Sequence, residues 1–187
     1  MAREHPALRV DPARVRLAPW SEDDLPLLIR LNAVEMTEHL GGPETEEQVL
    51  VRHQRYVTAA RSGIVRDSDR EYRAFIFRAV FEPDGVDVGN VNFWDREWNG
   101  EQVYEMGWGV VPEFQGRGIA SAMVAQAVEL ARATDRRAAV HAFPSVDNPP
   151  SNAVCRKAGF TLLGEVRLEY PKGHWMQCND WMVSLRR

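Results

Sequence analysis

A chain of 187 residues is long enough for one domain with a continuous core, and 44% hydrophobic with 27% charged residues is an ordinary globular balance. The formal net charge of −4 argues against a general nucleic-acid binder and agrees with a cationic substrate, and no run approaches the roughly 20 apolar residues that cross a bilayer. The two cysteines, Cys155 and Cys178, form no CxxC pair and the five histidines no pair at ligand spacing, so neither a disulfide framework nor a metal site is expected and a reducing cytoplasm is the default.

Residues 1–13 hold no apolar stretch of the secretory kind, and Pro6 and Pro12 interrupt any regular element there; they read as an arm ahead of a domain over 14–187. Val15 and Leu17 alternate with arginines in a short strand ending at Pro19. Ser21 is placed to cap a helix whose apolar stripe is Leu25, Leu28 and Ile29. Thr45 and Gln48 have capping-box spacing ahead of Val49, His53, Tyr56 and Val57, which predicts a second helix. Residues 61–73 are charged and aperiodic, and predict a mobile loop. Strand-like runs follow at 74–81 and 86–94 around the turn 82–85, and Asn99-Gly100 signals a hairpin into a strand over 103–111. Residues 119–134 place apolar side chains at 119, 120, 123, 124, 127, 128, 130 and 131, the spacing of a long helix packed on a sheet. A strand at 138–143, a helix at 151–158 ended by Gly159, and strands at 160–170 and 175–185 around Pro171-Lys172-Gly173 complete the order. There is no internal repeat. The result is an α/β domain with a β-α-β unit at its centre, where ligands gather.

The segment Val110-Val111-Pro112-Glu113-Phe114-Gln115-Gly116-Arg117-Gly118-Ile119-Ala120 joins a strand to the start of the long helix. Free N–H groups and the helix dipole favour an anion there. Gly116 and Gly118 permit positive φ and let phosphate oxygens approach the backbone, while Arg117 adds charge. A P-loop would need Gly-Lys-Ser/Thr, and a dinucleotide fingerprint a third glycine where this chain has Ser121. Taken alone, two glycines serve a tight strand-to-helix turn equally well.

Here the sequence resembles the GCN5-related N-acetyltransferase superfamily. Gln115, Gly118 and Ala120 fit its Q/R-x-x-G-x-G/A signature, which in the family holds the pyrophosphate of acetyl-CoA. Downstream, Asn148, Ser151, Lys157, Gly159 and Phe160 fit the N-x-x-S…K-x-G-F pattern of the ribosomal-protein acetyltransferase branch, a segment that runs along the pantetheine arm. The resemblance implies a single α/β domain, a mixed central sheet of about seven strands flanked by about four helices. It also implies acetyl-CoA as donor, held by Val110, Val111, Gln115, Gly116, Arg117, Gly118, Ile119, Ala120, Asn148 and Ser151. The first 70 residues resemble the family only in outline.

Acetyl transfer needs an uncharged amine, a polarised thioester carbonyl and a proton for the thiolate. A backbone N–H near Val110 suits the carbonyl. Glu105 is the candidate base, on one face of its strand with Gly107 and Gly109, which leave that face open; the bland alternative is a surface glutamate paired with an arginine. Where the family frequently has an acidic tyrosine, four residues before the glycine of the G-F pair, this chain has Cys155. A thiol suits that proton transfer, but a buried cysteine packs as a small hydrophobe, and the inert role is favoured. Asn148 is favoured as a cofactor ligand over an Asx turn, and Ser151 as an N-cap over a direct ligand. Of Trp94, Trp98, Trp108, Trp175 and Trp181, one or two are expected to line the acceptor cleft and the rest to pack in the sheet.

The expected activity is direct transfer of acetyl to a primary amine in a ternary complex. A protein N-terminus is the first acceptor and a small amine the close second, with no specific nucleic acid, no membrane, and a homodimer compatible. The rival from another class is a catalytically silent acyl-CoA-binding module that senses cofactor or regulates a partner.

Overall fold

The computed structural model describes residue 11 and residues 14–66, 70–82 and 84–186, and its period-two runs pair into a sheet of eight strands. These are β1 (Val15–Pro19), β2 (Ile64–Arg66), β3 (Glu71–Phe81), β4 (Val86–Trp98), β5 (Glu101–Val110), β6 (Ala139–Ala142), β7 (Thr161–Glu169) and β8 (Trp175–Ser184). Their order is β1-β3-β4-β5-β6-β8-β7, with β2 added against β3. Neighbours are antiparallel except β5 and β6, which are joined through the long helix and therefore run parallel. The helices are α1 (Leu25–Leu31), α2 (Val34–Thr37), α3 (Glu46–Ser62), α4 (Ile119–Ala133) and α5 (Pro149–Lys157).

Alternation along β4 and β5 sets which side chains meet which helices. Val91, Phe93, Tyr104 and Met106 join Ile119, Met123, Val124, Ala127 and Val128 of α4 in the main core. On the opposite face Ala74 and Ile76 pack with Trp20, Leu27, Leu28 and Leu31 around α1, and with Val49 and Val57 of α3. At roughly 25 cal/mol per Å² of apolar area, each of these large side chains stabilises the fold by about 1.5–3 kcal/mol relative to exposure.

Local signals are realised where their partners are close in sequence. Thr45 Oγ1 accepts the Gln48 N–H at 3.3 Å and Gln48 Oε1 accepts the Thr45 N–H at 2.9 Å, so the capping box opens α3 as expected. Asn99 and Gly100 have φ of 51° and 79°, the pair of positive values that a tight hairpin requires.

Three expectations change. The segment expected as a loop over 61–73 contains the last two residues of α3 and then β2, which pairs with Glu71–Arg73 of β3; this pairing satisfies the backbone of Ile64-Val65-Arg66, a run of three residues too short to show a strand period. Along α1 the buried stripe is Leu27, Leu28 and Leu31, while Ile29 is 57% exposed; Ser21 precedes a short turn at Glu22–Asp24, and α1 begins only at Leu25. In α4, Leu130 is 40% exposed and Ala122 fills the inward position instead. The arm expected over 1–13 lies outside the described residues apart from Asp11, as does Pro83 of the turn at 82–85.

Candidate active site

The parallel pairing of β5 and β6 extends over only two register pairs, Tyr104 with Val140 and Glu105 with His141. Beyond them β5 stays with β4 as far as Val110 opposite Gly89, while the chain leaving β6 follows β8. Val146 N–H donates to Gln177 O at 3.0 Å, Asn179 N–H donates to Pro144 O at 2.9 Å, and Ser145 bridges Cys178. The sheet therefore splits at Glu105. Val111 N–H donates to Val88 O on the β4 side at 3.0 Å, so strand alternation turns the Val110 N–H to the other edge, into the split.

A short turn, Pro112–Phe114, carries the chain from β5 to α4. Gln115 Nε2 donates to Val110 O at 2.9 Å and fixes the base of the loop. Gly116 and Gly118 have φ of 72° and 84°, which an L side chain rarely adopts, and both are exposed, with nothing within 4 Å of where a Cβ would stand. Gly118 is the residue before α4, and the first turn of that helix holds no acidic side chain. Its opening N–H groups thus meet no carboxylate of the helix's own first turn, a setting that favours an anion. Exposed Arg117 lies over the Phe114 ring, 5.3 Å from its centroid. Val111 and Ile119 are buried and hold the loop to the core, and Ala120 is half-buried.

Across the split, the chain leaving β6 leads into α5. Asn148, not Ser151, is the capping residue: its Oδ1 accepts the Ser151 N–H at 3.1 Å. Helical backbone begins at Pro149, whose lost N–H costs nothing in a first turn, and this places Ser151 inside the helix. Gly159 ends α5 with φ 85°, as expected, and Phe160 returns to the core. Cys155 is completely buried in the main core cluster, and burial pushes its thiol up to about 12. Asn152 belongs to no motif legible in the sequence, yet it ties this region together. It donates to Ser145 O at 2.9 Å and accepts from Asn179 and Trp181 at 2.7 and 2.8 Å.

The face turned to α1, α2 and α3 is polar around the split. Glu105 forms an ion pair with Arg96 of β4, and both remain partly accessible. Gly107 has the Trp94 ring 3.5 Å from where a Cβ would stand, and Gly109 has Leu31, Asn90 and Met36 within 3.1–3.6 Å of that point. The face expected to be open is thus a narrow lane roofed by α1 and α2, with both glycines half-buried. Beside it Asn92 donates to Tyr56 Oη at 3.2 Å, while its own Oδ1, enclosed, has no partner among the described residues. On β6 and β8, His141 Nδ1 lies 2.7 Å from Asp180 Oδ1, and Trp98 Nε1 donates to Asp180 Oδ2 at 2.9 Å. Of the tryptophans, Trp94 borders the lane, Trp98 stands against Phe143, Trp108 packs on the main core, Trp181 is buried and Trp175 is 54% exposed. The arginine pairing that stood as the bland alternative for Glu105 is realised with Arg96, although Glu105 is not a surface residue. Which arginine would serve, Asn92 and the His141–Asp180 pair were not legible in the sequence, because each gains its meaning from a cross-strand neighbour. Among the described residues no helix is long and apolar enough to cross a membrane, and no cluster of potential metal ligands occurs.

A sheet split beside a glycine-opened helix N-terminus defines a class, and the sequence says which: residues 14–161 match the acetyltransferase (GNAT) domain family, to which the chain belongs. Solved structures share its architecture. Spermidine N-acetyltransferase from Vibrio cholerae, in complex with CoA and spermine, superposes with a TM-score of 0.71 at 14% identity over 92% of this chain and 96% of its own. Aminoglycoside acetyltransferase AAC(6')-Ib in complex with coenzyme A gives 0.70 at 20% identity over 91% and 94%. The acetyl transferase from Salmonella typhimurium that modifies the N-terminal serine of 50S ribosomal subunit protein L7/L12 gives 0.68 at 21% over 91% and 95%. At these identities the likeness is one of fold. No curated protein matches the sequence.

Proposed function

We propose that the protein is an N-acetyltransferase that moves an acetyl group from acetyl-CoA directly to a primary amine in a ternary complex. The carrying observation is the juxtaposition of the exposed Gly116–Gly118 loop at the start of α4 with the split that turns the Val110 N–H outward. Acetyl-CoA supplies the activated acyl thioester. The loop and Arg117 receive its pyrophosphate, the split receives its pantetheine arm with Asn148 and Ser151 on the far wall, and the Val110 N–H donates to the thioester oxygen as charge develops there.

Glu105 is the proton acceptor for the amine. Its pairing with Arg96 fixes the carboxylate at the mouth of the lane, where it also attracts a cationic acceptor. An α-amine with pKa near 8 is roughly a tenth neutral at pH 7, and a lysine amine below about 0.1%, so help from a base matters more for lysine-like acceptors. Cys155 takes no part: a thiol held protonated up to about 12 in a closed core does not exchange with a departing thiolate. A protein N-terminus is the first acceptor class to try, followed by polyamines and aminoglycosides, the kinds of amine named for the structural neighbours. The buried free cysteines agree with a reducing cytoplasm.

Acetyl-CoA at 100 times its dissociation constant should stabilise the protein by about 2.7 kcal/mol, read as a rise in Tm. Gly118→Asp should abolish that rise by placing a side chain and a negative charge at the pyrophosphate. A wild-type response in this variant would show the site to be elsewhere. Tight acetyl-CoA binding without thiol release over the amine panel would instead favour the silent acyl-CoA-binding module.

A further inference from the structure

Beyond Glu105, the split carries a second group suited to accept a proton, and it is held as a base is held in an enzyme. His141 is the register partner of Glu105 across β5 and β6, and paired residues of neighbouring strands leave the sheet on the same face. Its Nδ1 is 2.7 Å from Asp180 Oδ1, and the other oxygen of Asp180 accepts from Trp98 Nε1 at 2.9 Å. With both Asp180 oxygens accepting, the proton of a neutral His141 sits on Nδ1. That leaves the Nε2 lone pair, which has no partner among the described residues. His141 and Asp180 are 7% and 4% exposed, so their hydrogen bond is held in a poorly solvated setting.

The surroundings place this pair beside the acceptor lane. The His141 ring stacks on Phe143 with centroids 5.9 Å apart, and Arg96, the partner of Glu105, lies over the same Phe143 ring, 4.9 Å from its centroid. Phe143 also meets Trp98 edge-on at 4.8 Å. Cys178 of β8 closes the group; burial pushes its thiol up, and Glu105 adds to that while Arg96 opposes it. The titratable or charged groups around His141 are therefore Asp180 and Cys178 from β8, Glu105 from β5 and Arg96 from β4.

The chemistry of the proposed reaction has work for two acceptors. An amine that arrives as ammonium sheds one proton to free the lone pair that forms the N–C bond. It sheds a second as the C–S bond breaks and sulfur takes the electron pair. One proton ends on the CoA sulfur and the other in solvent, so ammonium plus thioester yields amide, thiol and a proton. A single carboxylate already bound to Arg96 holds one proton at a time.

The geometry points to His141 as the second proton acceptor of the acetyl transfer, with Nε2 taking a proton from the amine directly or through one water, and Asp180 as the positioning residue that sets its tautomer. This rests on the acetyltransferase reading above. His141→Asn tests it, since the amide nitrogen stands where Nδ1 stood and can still donate to Asp180, while the Nε2 acceptor is gone.

Thiol release would be followed with acetyl-CoA and a serine-initiated peptide, spermidine and kanamycin. His141→Asn should lower kcat roughly 10²-fold on the best acceptor and flatten one limb of the kcat–pH profile, with Tm and acetyl-CoA affinity close to wild type. Imidazole added to His141→Gly should restore part of the loss, which a merely structural histidine would not allow. Asp180→Asn should cost at least about tenfold and not respond to imidazole. Independently of turnover, the 15N chemical shifts of neutral His141 in the wild type should report the Nδ1–H tautomer. An Nε2–H tautomer, or wild-type kcat and pH profile in His141→Asn, overturns the proposal while leaving acetyl transfer standing. A wild type that binds acetyl-CoA but releases no thiol with any amine overturns the acetyltransferase reading, and this proposal with it.

Discussion

On the α4 side of β4 and β5, Val91, Phe93 and Tyr104 are fully buried and Met106 nearly so; the polar groups there, the Tyr104 hydroxyl and Asp95 opposite it, are each partnered, by Thr134 at 2.9 Å and by Arg137 at 2.8 Å. The same strands turn Asn90, Asn92, Trp94 and Arg96, with Glu105, Gly107 and Gly109, towards α1, α2 and α3. One ladder thus carries two chemistries. The first face is dry and closely packed, and its worth is cohesion. The second accepts buried amides, an ion pair and missing side chains, each of which weakens a core, and such departures from good packing concentrate where a protein handles a ligand.

That contrast predicts opposite results for substitutions on the two faces of one ladder. Glu105→Gln should lower kcat by about 10²–10⁴-fold with acetyl-CoA affinity retained, and more for lysine-like than for α-amine acceptors. An unchanged pH–rate profile would remove Glu105 from the mechanism. Phe93→Ala should do the reverse, costing about 3–5 kcal/mol of stability in denaturant unfolding while the folded protein keeps its affinity for acetyl-CoA. Equal effects of both variants on turnover and stability would erase the distinction between the faces.

Cys155 gives the smallest and sharpest comparison, because it lies between the cofactor wall and the core. Cys155→Ala should cost about 1 kcal/mol with kcat unchanged, and a tenfold kcat loss at wild-type Tm would return the thiol to the mechanism. The folded thiol is raised from 9.0 to about 12, so between those values the folded state keeps a proton that the unfolded state releases. Stability from this group is full below pH 9 and falls as pH rises towards 12. Iodoacetamide at about pH 8, below the ordinary thiol range, should accordingly leave Cys155 of the native protein unmodified, as mass spectrometry of the peptides would show.

Much of the scaffold is written in contiguous residues. The Thr45–Gln48 box, the periodic run that forms α4, the Asn99-Gly100 turn and the Gly116–Gly118 loop depend on spacings of a few residues, and caps, periods and positive-φ positions are local physics. Local signals misled where two candidates competed for one role. Asn148 and Ser151 both suit an N-cap, and the prolines at 149 and 150 decide for Asn148 by fitting the first turn. The three residues of β2, Ile64-Val65-Arg66, are too few to show a strand period of their own and are ordered by pairing with β3.

By itself, then, the sequence determined the α/β order, the family and the glycine loop ahead of α4, because each is encoded in residues near one another along the chain. Only the tertiary structure decided that β5 and β6 part after Glu105, that Leu31 and Met36 roof the glycine lane, and that Arg96 holds Glu105. It alone joined His141 to Asp180, 39 residues away. A hydrogen bond or an ion pair across strands requires the sheet register that brings its partners together, and register is fixed by burial of a whole face rather than by any short stretch of residues.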